Sequence, residues 1–449
     1  MNNKLRVFEA FAGVGSQRMA LRNLNIDHEV VGICEIDVDA IITYAAICGV
    51  DLNKDVKMLD KVIDKIEKMR VGFDFKLGKS KIPRMSKVKK KQLANANEAI
   101  NNFGDISLIN PNDLPDMDLF TYSFPCQDLS VAGKQAGLGE GTRSGLLYEC
   151  EKVIESKKPK YLLLENVKNL VGKKFKGDFD KWLEYLEGLG YTNYWKVLNA
   201  KDCGIPQNRE RVFVVSILDD NQGFEFKEKI ELNKRIKDIL ENEVEGKYYM
   251  DKPFKIINKK NEIAELQIKA NKSVKAVQGK NHICPCLTGM QGGHREPKIL
   301  EVAKTNDNYE QNARIYGTDG LSPTLSARDF KDPKKILIPQ ATKKGYIEME
   351  VGGVCDLTYP NSKTRRGRVQ EGENICPTLT AASQDIVNID KNYRVRKLTP
   401  LECWRLMGFS DEDFYKAKNS GVSNSQLYKQ AGNSIVVNVL EGIFENLLK

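Results

Sequence analysis

Residues 5–12, Leu-Arg-Val-Phe-Glu-Ala-Phe-Ala, form an apolar, β-prone run. Glycines at 13 and 15 close it, and a helical pattern runs from Ser16 to Asn23. A second apolar run, Val30–Cys34, ends on Glu35. Strand, glycine turn, helix, strand and terminal acid make up the first half of a nucleotide-binding, doubly wound sheet. Asp118–Ser123 and Tyr161–Leu164 read as further buried strands, and Arg211–Ile217 as a strand after a polar loop. Gly104-Asp105-Ile106 reads as the end of a possible third strand. Alternating β and α segments predict an α/β domain with a largely parallel sheet. A lysine-rich insertion with helical stretches, about 54–104, interrupts it.

The pattern changes after about 225. Helical alternation fades, while Gly, Asn, Lys and Thr increase. Three segments repeat a Pro-x-Leu-Thr/Ser unit at irregular spacing: ICPCLTGM (283–290), LSPTLSA (321–327) and ICPTLTA (375–381). Irregular spacing excludes a solenoid and fits short strand–turn units that present loops to a partner. From about 391 the chain turns helical again. Thr399 is placed as an N-cap, with Pro400 first in the helix and Glu402 as the capping-box acid. A last helix spans about 434–448. The expected organisation is a domain over 1–225, a mostly β and loop domain over 226–390, and a segment over 391–449 that returns to the first.

Composition narrows the class. Of the 449 residues 41% are hydrophobic and 29% charged, enough to bury a core. No apolar run approaches the roughly 18 residues of a membrane helix, and the start has no signal-peptide pattern. The ten cysteines are scattered without a disulfide framework, which points to a reducing, cytoplasmic setting. Three histidines exclude a His-rich metal centre, and the Cys284-x-Cys286 spacing near His282 and His294 is not that of a zinc site, so no metal is expected. The net charge of +9 is modest. One concentrated run, KSKIPRMSKVKKK (79–91), reads as a solvated loop or tail, or as an arm that contacts phosphates, and KTRRGR (363–368) is more basic.

The chemistry gathers at strand ends. Cys126 follows the strand DLFTY in SFPCQDLS, at the crevice where open α/β sheets bind ligands. Glu165 ends another strand, so Cys126 and Glu165 form a plausible nucleophile and acid/base pair. Arg209 and Arg211 enter a strand at alternate positions, which puts both on one face.

The ordered series FAGVGS, Glu35, Gly-Asp-Ile, SFPCQDLS, LLENV, QNRERVF, RKLTPLECWRLMGF and QAGNSIVV resembles that of the DNA cytosine-5 methyltransferases. The resemblance covers 5–220 and 391–449. The 54–104 insertion departs from compact members, and 226–390 corresponds loosely to the variable target-recognition domain. It implies a Rossmann-like, S-adenosylmethionine-dependent fold. It implies that Cys126 attacks C6 of a cytosine flipped out of duplex DNA, that Glu165 holds or protonates N3, and that Arg211, with Arg209, binds the base carbonyl. Phe11, Gly13, Gly15, Glu35, Ile36, Asp105, Ile106, Pro125, Leu146 and Asn433 would line the cofactor pocket.

Residues 127–135 and the glycines at 133, 137, 139 and 141 are similar to the family's mobile catalytic loop. Ser130 or Gln135 would enter the duplex, with Arg143 closing nearby. Gln311 and Arg314 are similar to a base-reading stretch. Arg365, Arg366 and Arg368 read as phosphate contacts. A monomer is expected, because an asymmetric single-base reaction needs no dimer, and a DNA substrate places it at the nucleoid. It acts either alone or beside a cognate restriction endonuclease that shares its site without a stable complex. A tRNA methyltransferase is disfavoured by the long 226–390 region, and a silent DNA-binding homologue by intact Cys126, Glu165 and Arg211.

Overall fold

The structure is a computed structural model. It describes residues 4–124, 146–235, 238–248 and 398–448, and the backbone of ten strands between 255 and 397. The chain divides into two compact units. The first comprises 1–203, 210–230 and 407–449, and the second 204–209 and 231–406. Among the described residues no helix is long and apolar enough to cross a membrane.

In chain order the strands up to residue 218 are β1 (Leu5–Ala10), β2 (His28–Cys34), β3 (Phe73–Asp74), β4 (Lys79–Ser80), β5 (Leu119–Tyr122), β6 (Tyr161–Val167), β7 (Tyr191–Asn199), β8 (Gln207–Asn208) and β9 (Glu210–Leu218). Six of them form the sheet of the first unit, ordered β2-β1-β5-β6-β9-β7. β2, β1, β5 and β6 run parallel, while β9 lies antiparallel between β6 and β7. The sheet is therefore mixed but largely parallel, as expected, with β9 reversed. β7 and β9 are joined by a connection too short for the crossover that a parallel pair needs.

The helices of this unit are α1 (Ser16–Asn23), α2 (Val38–Ile47), α3 (Leu59–Lys68), α4 (Lys87–Ala99), α5 (Leu147–Lys157) and α6 (Lys176–Gly188). One face of the sheet presents Phe8, Ala10, Phe120, Tyr122, Leu162, Leu164, Val212 and Val214 to Cys150, Val153 and Ile154 of α5 and to Phe179, Trp182 and Leu186 of α6. Val7, Leu119, Leu163 and Val215, at the alternate positions, are buried too. Burial on both faces explains why these strands read as near-continuous apolar runs. Each buried Leu or Phe contributes about 1.5–3 kcal/mol.

The 54–104 insertion contains α3, the β3–β4 hairpin and α4. The basic run 79–91 is neither loop nor tail. It spans β4, a short 3₁₀ turn at Ile82–Arg84 and the start of α4. Lys81 pairs with Asp74, Lys89 with Asp39 and Lys91 with Asp55. Residues 104–106 are not a strand end. One bridge, Ile33 to Asn102, precedes them, and Asp105 caps a 3₁₀ turn at Ile106–Leu108. The left-handed backbone of Gly104 (φ 77°) breaks the extended run.

Three further helices belong to the first unit: α8 (Asp411–Asn419), α9 (Asn424–Asn433) and α10 (Val437–Leu448), with α7 (Pro400–Arg405) before them in the second. α10 packs on α1. The Thr399 capping box forms: Glu402 accepts the Thr399 N–H over 2.7 Å, and the Thr399 hydroxyl accepts the Glu402 N–H over 3.2 Å. In the second unit Lys255–Lys259, Ile263–Gln267, Lys335–Pro339 and Tyr346–Glu350 form one sheet in that order. Gln278–Gly279, Lys298–Val302 and Tyr393–Lys397 form another.

Candidate active site

The carboxyl ends of β1, β2, β5 and β6 converge on one edge of the sheet. On β6, Glu165 is mostly buried, and its Oε1 lies 3.1 Å from Nε of Arg211 on β9. The antiparallel register makes this pairing: Val167 stands opposite Arg211 and Glu165 opposite Phe213. Glu165 and Arg211 are thus diagonal neighbours on one face. Arg211 also donates to the Glu210 carbonyl over 2.8 Å. Arg209 lies in the break between β8 and β9, so strand alternation does not place it on the face of Arg211. It is buried and belongs to the second unit.

Asn166 follows Glu165 and is buried. Its amide donates to the Phe124 carbonyl over 3.2 Å, and its Oδ1 accepts the Val167 N–H over 2.9 Å. Phe124 is the last described residue before Pro125 and Cys126. One side chain therefore ties the end of β6 to the segment that leads out of β5.

The β1 end builds a second cluster. Phe11 takes a left-handed backbone (φ 57°), as do Gly13 (φ 56°) and Gly15 (φ 84°). A Cβ on Gly15 would sit 2.7 Å from the Tyr44 ring, whereas one on Gly13 would meet none of the described residues within 4 Å. Gly15 is thus required by packing, and Gly13 faces space open among the described residues. The Glu35 carboxylate borders that space. It accepts the Gly13 N–H over 2.9 Å and those of Ile36 and Asp37 over 2.8 Å each. Burial and the neighbouring Asp37 push the Glu35 carboxyl up in pKa, and the three N–H bonds oppose them.

Asn102 fixes Glu35 from the other side. Its Oδ1 accepts the Glu35 N–H over 3.0 Å and the Gly104 N–H over 3.1 Å, while its Nδ2 donates to the Glu35 carbonyl over 3.0 Å. Asp105 is buried behind Gly104 and pairs with Arg70 over 3.3 Å. Ile106 is buried beside it. The start of α2 is pinned to α9: Lys429 pairs with Asp37, and Gln430 donates to the Asp39 carbonyl over 3.0 Å. Asn433, exposed, ends that helix one turn on.

The sequence was compared with known proteins. The model of C-5 cytosine-specific DNA methylase matches residues 66–449. The chain belongs to this family. It is 41% identical over 452 residues to type II methyltransferase M2.ScrFI of Lactococcus lactis subsp. cremoris, covering 99% of each chain. It is 31% identical over 490 residues to orphan methyltransferase M.SPRI of Bacillus phage SPR, covering 99% of this chain and 98% of the relative. Among solved structures, the S. pombe Dnmt2 methyltransferase superposes with a TM-score of 0.51 at 16% identity, each chain fully covered, which speaks for the fold. The chain is thus a cytosine-5 DNA methyltransferase of bacterial and phage type.

Within this methylase, the structure brings Phe11, Gly13, Gly15, Glu35, Ile36, Asp105 and Ile106 to one strand-end cluster, and Glu165 and Arg211 into contact. Leu146 precedes α5, partly buried against the core. Pro125, Cys126, Ser130, Gln135, Arg143, Gln311, Arg314, Arg365, Arg366 and Arg368 lie outside the described residues, as do His282, Cys286 and His294. Sequence reading missed Asn102, Asn166 and Arg70. Asn166 had a local signal, since it adjoins Glu165 at a strand end. Asn102 and Arg70 sit in a polar insertion with none.

Proposed function

We propose that this methylase transfers a methyl group to C5 of a cytosine in a specific short duplex DNA sequence. The observation that carries this is the Glu165–Arg211 pair, on the strand next to the one that leads into Pro125–Cys126. A carboxylate held by a guanidinium, on the strand next to the one whose chain runs on to Cys126, matches what a cytosine ring needs. The Cys126 thiolate bonds to C6, which saturates the 5,6 double bond and makes C5 nucleophilic. Glu165 holds a proton at N3 as charge builds on the ring, and Arg211, with Arg209, binds the carbonyl oxygen at C2. Loss of the C5 proton and expulsion of the thiolate restore the double bond.

The strand-end cluster fits S-adenosyl-L-methionine. The Glu35 carboxylate already holds the Gly13 N–H, so the glycine turn is not a phosphate cradle. Open space over Gly13 beside the Glu35 carboxylate suits a ribose with free hydroxyls. S-adenosyl-L-methionine bound there supplies the electrophilic methyl group. Phe11, Gly13, Gly15, Glu35, Ile36, Asp105, Ile106, Pro125, Leu146 and Asn433 hold it.

The C6 of a cytosine stacked inside a duplex is out of reach of an enzyme side chain, so the base is flipped. Ser130, Gln135 and Arg143 serve the opened duplex. The second unit reads the sequence, with Gln311 and Arg314 at bases and Arg365, Arg366 and Arg368 at phosphates. The enzyme works as a monomer at the nucleoid. The type II and orphan relatives support modification either beside a restriction endonuclease acting on the same site or alone. The test is bisulfite sequencing of plasmid DNA from cells that express the protein, beside a Cys126→Ala control. Protected cytosines in one short context, absent from the control, are expected. None at all, with folded protein present, overturns the proposal.

A further inference from the structure

Between Phe75 and Asn97 the insertion carries lysines and an arginine and no acid. The structure sorts these cations into two sets. Lys81, Lys89 and Lys91 are paired, with Asp74, Asp39 and Asp55. Lys76, Lys79, Arg84 and Lys87 are exposed and have no acid partner among the described residues. Half-buried Lys90 has none there either. The segment that presents them is anchored. Ile82 and Leu93 are wholly buried, and Lys89 holds α4 to Asp39 of α2. The Lys81 N–H donates to the Gly72 carbonyl over 2.9 Å, and the Gly72 N–H donates to the Ile36 carbonyl over 2.8 Å. Like charges are therefore gathered on fixed backbone, and nothing among the described residues neutralises them. Lys79, Arg84 and Lys87 come from three successive elements, β4, the 3₁₀ turn at Ile82–Arg84 and the first turn of α4. That spread suits a row of anionic groups better than one anion.

The place of the patch in the first unit says which polyanion. Ile36 directly follows Glu35 at the carboxyl end of the sheet, where Glu165 also lies. The strand order β2-β1-β5-β6 separates the two acids by three strand spacings. These amount to about 15 Å, and the hairpin and α4 lie farther out, roughly 20–30 Å from Glu165. Along a duplex that distance is about six to nine base pairs.

We propose that β4, the 3₁₀ turn and the start of α4 form an additional DNA surface, on which Lys79, Arg84 and Lys87 contact phosphates of the duplex flanking the recognition sequence. This rests on the duplex DNA substrate proposed above. Such contacts hold the duplex without reading its sequence, and they release counterions when they form. The insertion then adds affinity for long DNA.

The test is fluorescence anisotropy with two duplexes centred on the cytosine that bisulfite sequencing identifies, about 12 and about 30 base pairs long. The shorter one ends before the patch, and the longer one passes it. The proteins are the unaltered enzyme, a patch variant (Lys79→Gln, Arg84→Gln and Lys87→Gln together) and a charge-matched control. The control carries Lys4→Gln, Lys158→Gln and Lys160→Gln, which lie before β1 and β6 at the opposite edge of the sheet. Each is checked for folding by thermal unfolding. The patch variant should bind the long duplex more than about tenfold more weakly and the short one less than about twofold, and its salt slope on the long duplex should fall by about 2–3. The control should bind both nearly as the unaltered enzyme does. Equal losses in patch variant and control, or none in either, would make the patch ordinary solvated surface. Unchanged DNA binding together with lost sedimentation on phosphatidylserine vesicles would assign it to a lipid surface, with exposed Leu77 and Val88 beside the cations. If the unaltered enzyme binds neither duplex, the DNA substrate itself is wrong.

Discussion

The Asn166 side-chain amide donates to the Phe124 carbonyl over 3.2 Å, and both residues are buried. This bond joins the strand that carries Glu165 to the segment running into Cys126. Removing it does two things. It leaves a buried carbonyl without its donor, which costs about 1–3 kcal/mol of stability. It also loosens the segment that leads on to Cys126, the proposed nucleophile. A displacement of about 1 Å at a reacting group can cost roughly a hundredfold in rate. Asn166→Ala should therefore slow covalent capture of DNA containing 5-fluorocytosine more than about tenfold, with S-adenosylhomocysteine affinity unchanged. Asn166→Asp keeps the acceptor for the Val167 N–H but cannot donate to Phe124, and should lose as much. A full capture rate in Asn166→Asp would show that the bond does not position Cys126.

Glu165 and Arg211 separate charge from shape. Glu165→Gln preserves volume and removes the acid, so single-turnover methylation at saturating DNA should fall by about 10²–10⁴. Arg211→Lys keeps the cation but loses the planar fork that reaches both Glu165 and the Glu210 carbonyl. Its loss should be intermediate. Equal rates in Glu165→Gln and the unaltered enzyme would remove the carboxyl from the chemistry.

Asn102 makes three backbone bonds, two to Glu35 and one to Gly104. Asn102→Ala leaves all three groups short of a partner and should destabilise the protein by about 2–4 kcal/mol. Both acids of the cluster lose their support. Affinity for S-adenosylhomocysteine should drop more than about tenfold. Unfolding midpoints and titration calorimetry measure the two effects separately. Unchanged affinity in a destabilised variant would make Asn102 structural only.

The sequence announced what is local. β1, α1 and β2 follow from apolar runs, a glycine turn and a terminal acid, and the Thr399 box from residue types three apart. The antiparallel end of the sheet was not legible. Direction is set by what connects two strands, and the strand pattern is the same either way. β7 escaped because Thr192, Asn193 and Lys196 interrupt its apolar positions at the sheet edge. Asp105 was found for a wrong reason, as a strand end. It is held instead by Met69 and Arg70 from a turn some 35 residues earlier. Asn102 was invisible among Asn95, Asn97 and Asn101, because nothing near it marks which amide will meet Glu35.

Glu9 gives the clearest pH dependence. It is fully buried in β1, where it accepts the Tyr44 hydroxyl over 3.0 Å and the Arg18 N–H over 3.0 Å. Burial pushes its carboxyl from 4.5 up to about 7, against the pull of Tyr44 and Arg18. The native state therefore binds this proton more tightly than the unfolded chain does. The stability it contributes is complete below about pH 4.5 and is lost as pH rises through about 7, a change of about 3 kcal/mol. Glu9→Gln cannot ionise and should not show this fall. Urea unfolding at pH 5 and pH 7.5 measures it, and the variant should lose less stability between the two than the unaltered protein. Parallel profiles would mean that Glu9 is ionised in the folded state throughout, with Tyr44 and the Arg18 amide outweighing its burial.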